Sequence, residues 1–101
     1  MKVYISGAMA SRPETFKEIF NKAQEVFEKY GHTVVNPAIL PQGLEKDKYM
    51  PICLAMVEAS DMVFMLYGWE LSKGAKLEHD YAEYQGKIIM YESEQTQNMA
   101  I

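Results

Sequence analysis

Four short β-favouring runs, set apart by longer stretches with helical spacing, constrain this chain more than any other feature. The runs are residues 2–6 (KVYIS), 32–35 (HTVV), 61–66 (DMVFML) and 87–91 (KIIMY). Their apolar residues run together more than they alternate, which is the pattern of strands covered on both faces. Each intervening stretch is long enough to be a crossover. The order β-α-β-α-β-α-β therefore predicts a parallel sheet with helices on both faces, joined by right-handed connections. At 101 residues the chain is expected to form one domain over residues 1–91, followed by a polar tail over 92–101.

The first helical stretch is the clearest. Ser11-Arg12-Pro13-Glu14 has the S-x-x-E form of a capping box, with Pro in the first turn. Phe16, Ile19, Phe20, Ala23, Phe27 and Tyr30 then recur at spacings of three and four, and Gly31 offers the left-handed residue that closes a helix. A second helix is expected from about Asp47 to Ala59. Asp47 would cap it, and Pro51 would have to fall in its first turn. The third is expected over Ser72 to Tyr84, with Ser72 as its cap and Gly86 after its end.

Composition narrows the function classes. The formal net charge of −4 argues against a nucleic-acid partner, which needs a basic footprint. No run is long and apolar enough to span a membrane, so the expectation is a soluble, cytoplasmic protein. The single cysteine, Cys53, reads as a small buried hydrophobe before it reads as a nucleophile. His32 and His79 are too isolated for a metal site, and no metal is expected.

The loops after the first and third strands carry the chemistry. In open α/β sheets, ligands bind above the carboxyl ends of the strands. Gly7, Met9, Ser11 and Arg12 lie on the first of these loops, where free amides, a hydroxyl and a guanidinium suit an anion. The plainer reading is an ordinary cap with a surface Arg. Ser72 and Gly74 open the matching helix after strand three, and Gly74 would let a ligand approach the backbone. Trp69 could stack on a base, and Asn36 follows the second strand toward the same crevice. Glu78 falls one turn past Gly74 among Ala75, Leu77, Tyr81 and Ala82, so its carboxylate is expected near the packed face. Tyr4 lies inside the first strand, and a buried hydroxyl there needs a partner.

Three segments carry a family resemblance: VYISG, GHTVVNPA and DMVFMLYGWELSKGAKLE. They resemble the small phage and bacterial proteins of the nucleoside 2-deoxyribosyltransferase-like group, and more closely its DUF4406 branch. The resemblance also extends to 2′-deoxynucleoside 5′-monophosphate N-hydrolases. It implies a doubly wound, flavodoxin/Rossmann-like three-layer sandwich with a mainly parallel sheet of four to five strands, in a homodimer or higher homo-oligomer. It implies cleavage, by hydrolysis or transfer, of the N-glycosidic bond of a deoxynucleoside or its 5′-monophosphate, with no cofactor. Glu78 would be the nucleophile, Tyr4 its companion, and Ser72 a phosphate contact. The enzymes carry an Asp on the helix before strand three that handles the leaving base. Ile52 and Cys53 stand there in this chain; Asp47 or Glu58 could substitute, neither matching by position, and Asp47 is the one expected to act as the acid. The alternative is a non-catalytic nucleotide-binding or sequestering protein of phage or prophage origin.

Overall fold

The computed structural model describes residues 1–93. It is a three-layer α/β sandwich with one four-stranded sheet of order β2-β1-β3-β4, all neighbours parallel. The strands are β1 (Lys2–Ser6), β2 (Thr33–Val35), β3 (Met62–Met65) and β4 (Ile88–Tyr91). The helices are α1 (Phe16–Lys29), α2 (Lys46–Glu58) and α3 (Lys73–Tyr84). The four strands are those expected. A fifth strand supplied by the tail would fall largely outside the described residues.

Period-two alternation divides the core. Val3, Ile5, Met62 and Phe64 face α1, where they meet Phe16, Phe20, Ala23 and Phe27. Phe27 and Phe64 meet edge to face with ring centroids 4.9 Å apart. Tyr4, Val63 and Met65 face the other way, toward Cys53 and Val57 of α2 and Ala75 and Ala82 of α3. Each fully buried aliphatic or aromatic side chain contributes about 1.5–3 kcal/mol.

The helix boundaries correct the expectations in two places. Ser11 does not cap α1. Residues 10–15 form turns, with the Thr15 and Phe16 amides both donating to the Arg12 carbonyl, and Thr15 holds the cap position without a side-chain bond. α2 begins earlier than expected, capped at Glu45, so Pro51 lies in its interior. The carbonyl that Pro51 cannot serve belongs to Asp47, in the exposed first turn, where water can satisfy it. Gly31 behaves as expected. At φ 88° it follows the cap, and the amides of Gly31 and His32 return to the carbonyls of Glu28 and Phe27.

The strand order determines where a ligand can enter. From β1 the chain moves outward to β2, then returns across β1 to β3. The connections after β1 and β3 therefore run to opposite faces and leave a crevice above their carboxyl ends. At the opposite end, Asp61 closes the sheet. Its carboxylate accepts from the Lys2 amide at 2.8 Å, which holds its pKa below the usual value.

Candidate active site

The last residues of β1 and the second turn of α3 meet beneath the crevice. Tyr4 and Ser6 are two residues apart on one strand, so both hydroxyls point to the α2–α3 side. Glu78 is buried on α3, at 7% exposure. Ser6 Oγ donates to Glu78 Oε1 at 2.6 Å, and both side chains are buried. Tyr4 is wholly buried, and its hydroxyl has no partner in hydrogen-bonding geometry among the described residues. Cys53 of α2 completes the group as a buried free thiol close to Tyr4 and Glu78.

Burial dominates the electrostatics. It pushes the Glu78 carboxyl from 4.5 up to about 7, while the neighbouring Ser6, Tyr4 and Cys53 groups pull it partway back. A carboxyl poised there is divided between acid and carboxylate at neutral pH, as suits a base or nucleophile. Burial, and then the Glu78 charge, raise the Cys53 thiol to about 11, so it stays protonated. Burial also lifts the Tyr4 phenol well above its usual range, with Glu78 adding to the effect. One ionisable carboxylate thus lies among three neutral groups.

The walls of the crevice come from the loops. The Gly7 backbone passes so close to Leu66 that a Cβ would lie 2.8 Å from its Cδ1 and 2.9 Å from its Cβ. Arg12 reaches across from the first loop to the third, and its Nη2 donates to the Tyr67 carbonyl at 3.4 Å. Met9 packs on the α1-side core, and Ser11 is exposed. Ser72 caps α3 as expected, its Oγ accepting from the Ala75 amide at 3.2 Å. A Cβ on Gly74 would meet only Met50 Sδ at 3.6 Å and Ser72 Oγ at 3.9 Å, both ordinary contacts.

Three expected site residues have other occupations. Asn36 is buried and structural. Its amide donates to Asn21 Oδ1 at 2.9 Å and Gln24 Oε1 at 2.8 Å, and its carbonyl caps Ala38. One face of Trp69 is stacked on His79 at 4.5 Å, in a cluster closed by Tyr91. Asp47 lies on the exposed first turn of α2, 4.0 Å from Lys48 Nζ, outside the buried group.

Ser6, Glu92 and Cys53 join or border the site without having been expected there from the sequence. For Ser6 a signal existed, since a polar residue ending an apolar strand shares a face with Tyr4. Glu92, assigned to the tail, is buried, and its carboxylate accepts from the Tyr67 amide at 2.8 Å. Among the described residues no three His, Cys, Asp or Glu side chains are grouped to hold a metal ion. No described helix is long and apolar enough to cross a membrane.

The fold has a solved counterpart. The chain is similar to a 2-desoxiribosyltransferase from Leishmania mexicana, with a TM-score of 0.72 at 16% identity. The match takes in 89% of this chain and 62% of that one, so this chain spans less than two thirds of its length. At this identity the likeness is one of fold. No curated protein matches the chain. The family model described as a domain of unknown function, DUF4406, matches residues 1–91, and the chain belongs to that family.

Proposed function

We propose that this protein cleaves the N-glycosidic bond of a deoxynucleoside or deoxynucleoside 5′-monophosphate. One observation carries the reading: a buried carboxyl, raised to about 7, sits beneath the β1–β3 crevice with hydroxyls beside it. The likeness of fold to a deoxyribosyltransferase supports the substrate class.

In this reading an oxygen of ionised Glu78 attacks C1′ of the sugar. The C1′–N bond breaks, and its electron pair leaves with the base. The Tyr4 hydroxyl, without a hydrogen-bond partner among the described residues, steadies the second carboxylate oxygen or the sugar. Water, or a second base, then displaces the carboxylate from C1′, as in a retaining glycosidase. Arg12, Gly7 and the Ser72–Gly74 helix start line the route by which a 5′-phosphate would enter. The departing base takes its proton from solvent or from Asp47, which is exposed on the first turn of α2.

The test is chromatographic. The protein is incubated with the common deoxynucleosides and their 5′-monophosphates, and free base is measured against a Glu78→Ala control. Release above the control supports the reading, and equal traces from both overturn it.

A second reading has its own observation. Beside Glu78, α2 presents the neutral thiol of Cys53, while Asp47 is exposed about 120° round the helix and about 9 Å along its axis. A non-catalytic nucleotide-binding protein fits that arrangement. It predicts thermal stabilisation by a nucleotide that is recovered intact after long incubation. A nucleotide panel that shifts no melting temperature refutes it.

A further inference from the structure

Ser6 ends β1 in a rigid setting. Its carbonyl accepts from the Leu66 amide at 2.8 Å, which continues the β1–β3 ladder by one bond. The next residue, Gly7, is pressed against Leu66. Ser6 itself has no solvent exposure, and a buried hydroxyl without a partner would be costly. The partner it has is Glu78, 72 residues away in sequence, at 2.6 Å. Ser6 is also the only residue with a hydrogen bond to the Glu78 carboxyl in ordinary geometry among the described residues.

We propose that Ser6 is a positioning residue for Glu78: its hydroxyl fixes Oε1 on the rigid end of β1 and leaves Oε2 to face Tyr4 and the ligand. A donor aimed at a carboxylate also favours its charged form. Burial acts in the opposite direction, so Ser6 opposes the neutralisation that burial alone would impose.

Tyr4 and Cys53 pull the carboxyl in the same direction, but less than Ser6 does, and the remaining groups facing it do not act on it. From β1, Tyr4 is close but not in hydrogen-bonding geometry. From α2, Cys53 offers a thiol, a weaker donor than a hydroxyl. On α3 itself, the His79 ring turns away to Tyr91 and Asp80. The residues of β3 on this face, Val63 and Met65, are apolar. From β4, Tyr91 is bonded to His79, while Glu92, just beyond the strand, is bonded to the Tyr67 amide.

The hold on the carboxyl does not depend on the proposed reaction, whereas its consequence for turnover rests on that reading. The experiment separates the two. The side-chain carboxyl carbons of the full chain are followed by 13C NMR across pH 4 to 10, with Glu78 assigned through Glu78→Gln. Ser6→Ala is expected to raise the Glu78 midpoint by about one unit or more. Ser6→Thr, which keeps the donor, is expected to restore it. An unchanged midpoint in folded Ser6→Ala overturns the proposal, whatever the protein does to nucleosides. Should Ser6→Ala not fold, Ser6→Cys keeps the volume with a weaker donor. A raised midpoint there supports the proposal, and an unchanged one overturns it. Where base release is found, Ser6→Ala is expected to lower kcat at fixed pH and shift the rising limb of the pH profile upward with the NMR midpoint. Base release without an NMR shift would leave the reaction standing and remove Ser6 from it.

Discussion

Replacing Glu78 with Gln should make the protein progressively more stable than the native chain as pH rises. The prediction starts from burial. Glu78 is 7% exposed, and its carboxyl is pushed from 4.5 to about 7, chiefly because water is excluded. The unfolded chain titrates this group near its ordinary value. Between the two values the folded protein binds more protons than the unfolded one, so stability falls as pH rises. The penalty is absent below the unfolded value, grows through the window and is complete above about pH 7. A gap of this size corresponds to ~3 kcal/mol. The Gln variant has nothing to titrate there. Its stability minus that of the native protein, from urea unfolding at several pH values, cancels the titrations the two share. That difference should move in the variant's favour by about 2–3 kcal/mol between pH 5 and 8.5, or roughly 10 to 20 °C in melting temperature for a domain of this size. The same variant should release no base. A stability difference that stays constant with pH would refute the reasoning, because Glu78 would then be titrating as an exposed carboxyl.

Other substitutions test the surrounding frame. Gly7→Ala should destabilise the fold by about 1–3 kcal/mol in denaturant unfolding, because its Cβ would strike Leu66. Leu66→Ala should not fully relieve it, since one of the close atoms is the Leu66 Cβ. Gly74→Ala meets only ordinary contacts, so it should raise stability by up to ~1 kcal/mol. If the crevice binds a nucleotide, the same methyl should reduce the thermal shift that nucleotide produces. Asn36→Ala removes two side-chain bonds to α1 and the Ala38 cap. It should cost about 2–3 kcal/mol in unfolding experiments while leaving nucleotide affinity in the folded protein unchanged.

Local chemistry explains which parts of this fold were legible in the sequence. The four strands, the Phe16–Phe27 stripe, the Gly31 stop and the Ser72 cap are decided within a few residues of chain. The start of α1 is not legible locally, because the Arg12 carbonyl takes two amides in a turn, which an S-x-x-E pattern does not reveal. Pro51 is tolerated beyond the first turn because the Asp47 carbonyl it leaves is open to solvent, which sequence spacing does not reveal. Glu78 and Tyr4 were legible as candidates. Their meeting with Ser6 and Cys53 joins β1, α2 and α3, and no local spacing encodes it. Trp69 and Asn36 looked available in sequence because their partners, His79, Asn21 and Gln24, come from other elements.

Glu92 bears on where this chain can be cut. The family match stops at residue 91, yet the next carboxylate holds the amide of Tyr67, and its own amide bonds the Met65 carbonyl. Trimming to the end of the family match would therefore unfasten the loop that carries Trp69 and receives Arg12. A fragment shortened in that way would be a poor guide to the family's chemistry, because an inactive result would report the missing tether as readily as the site.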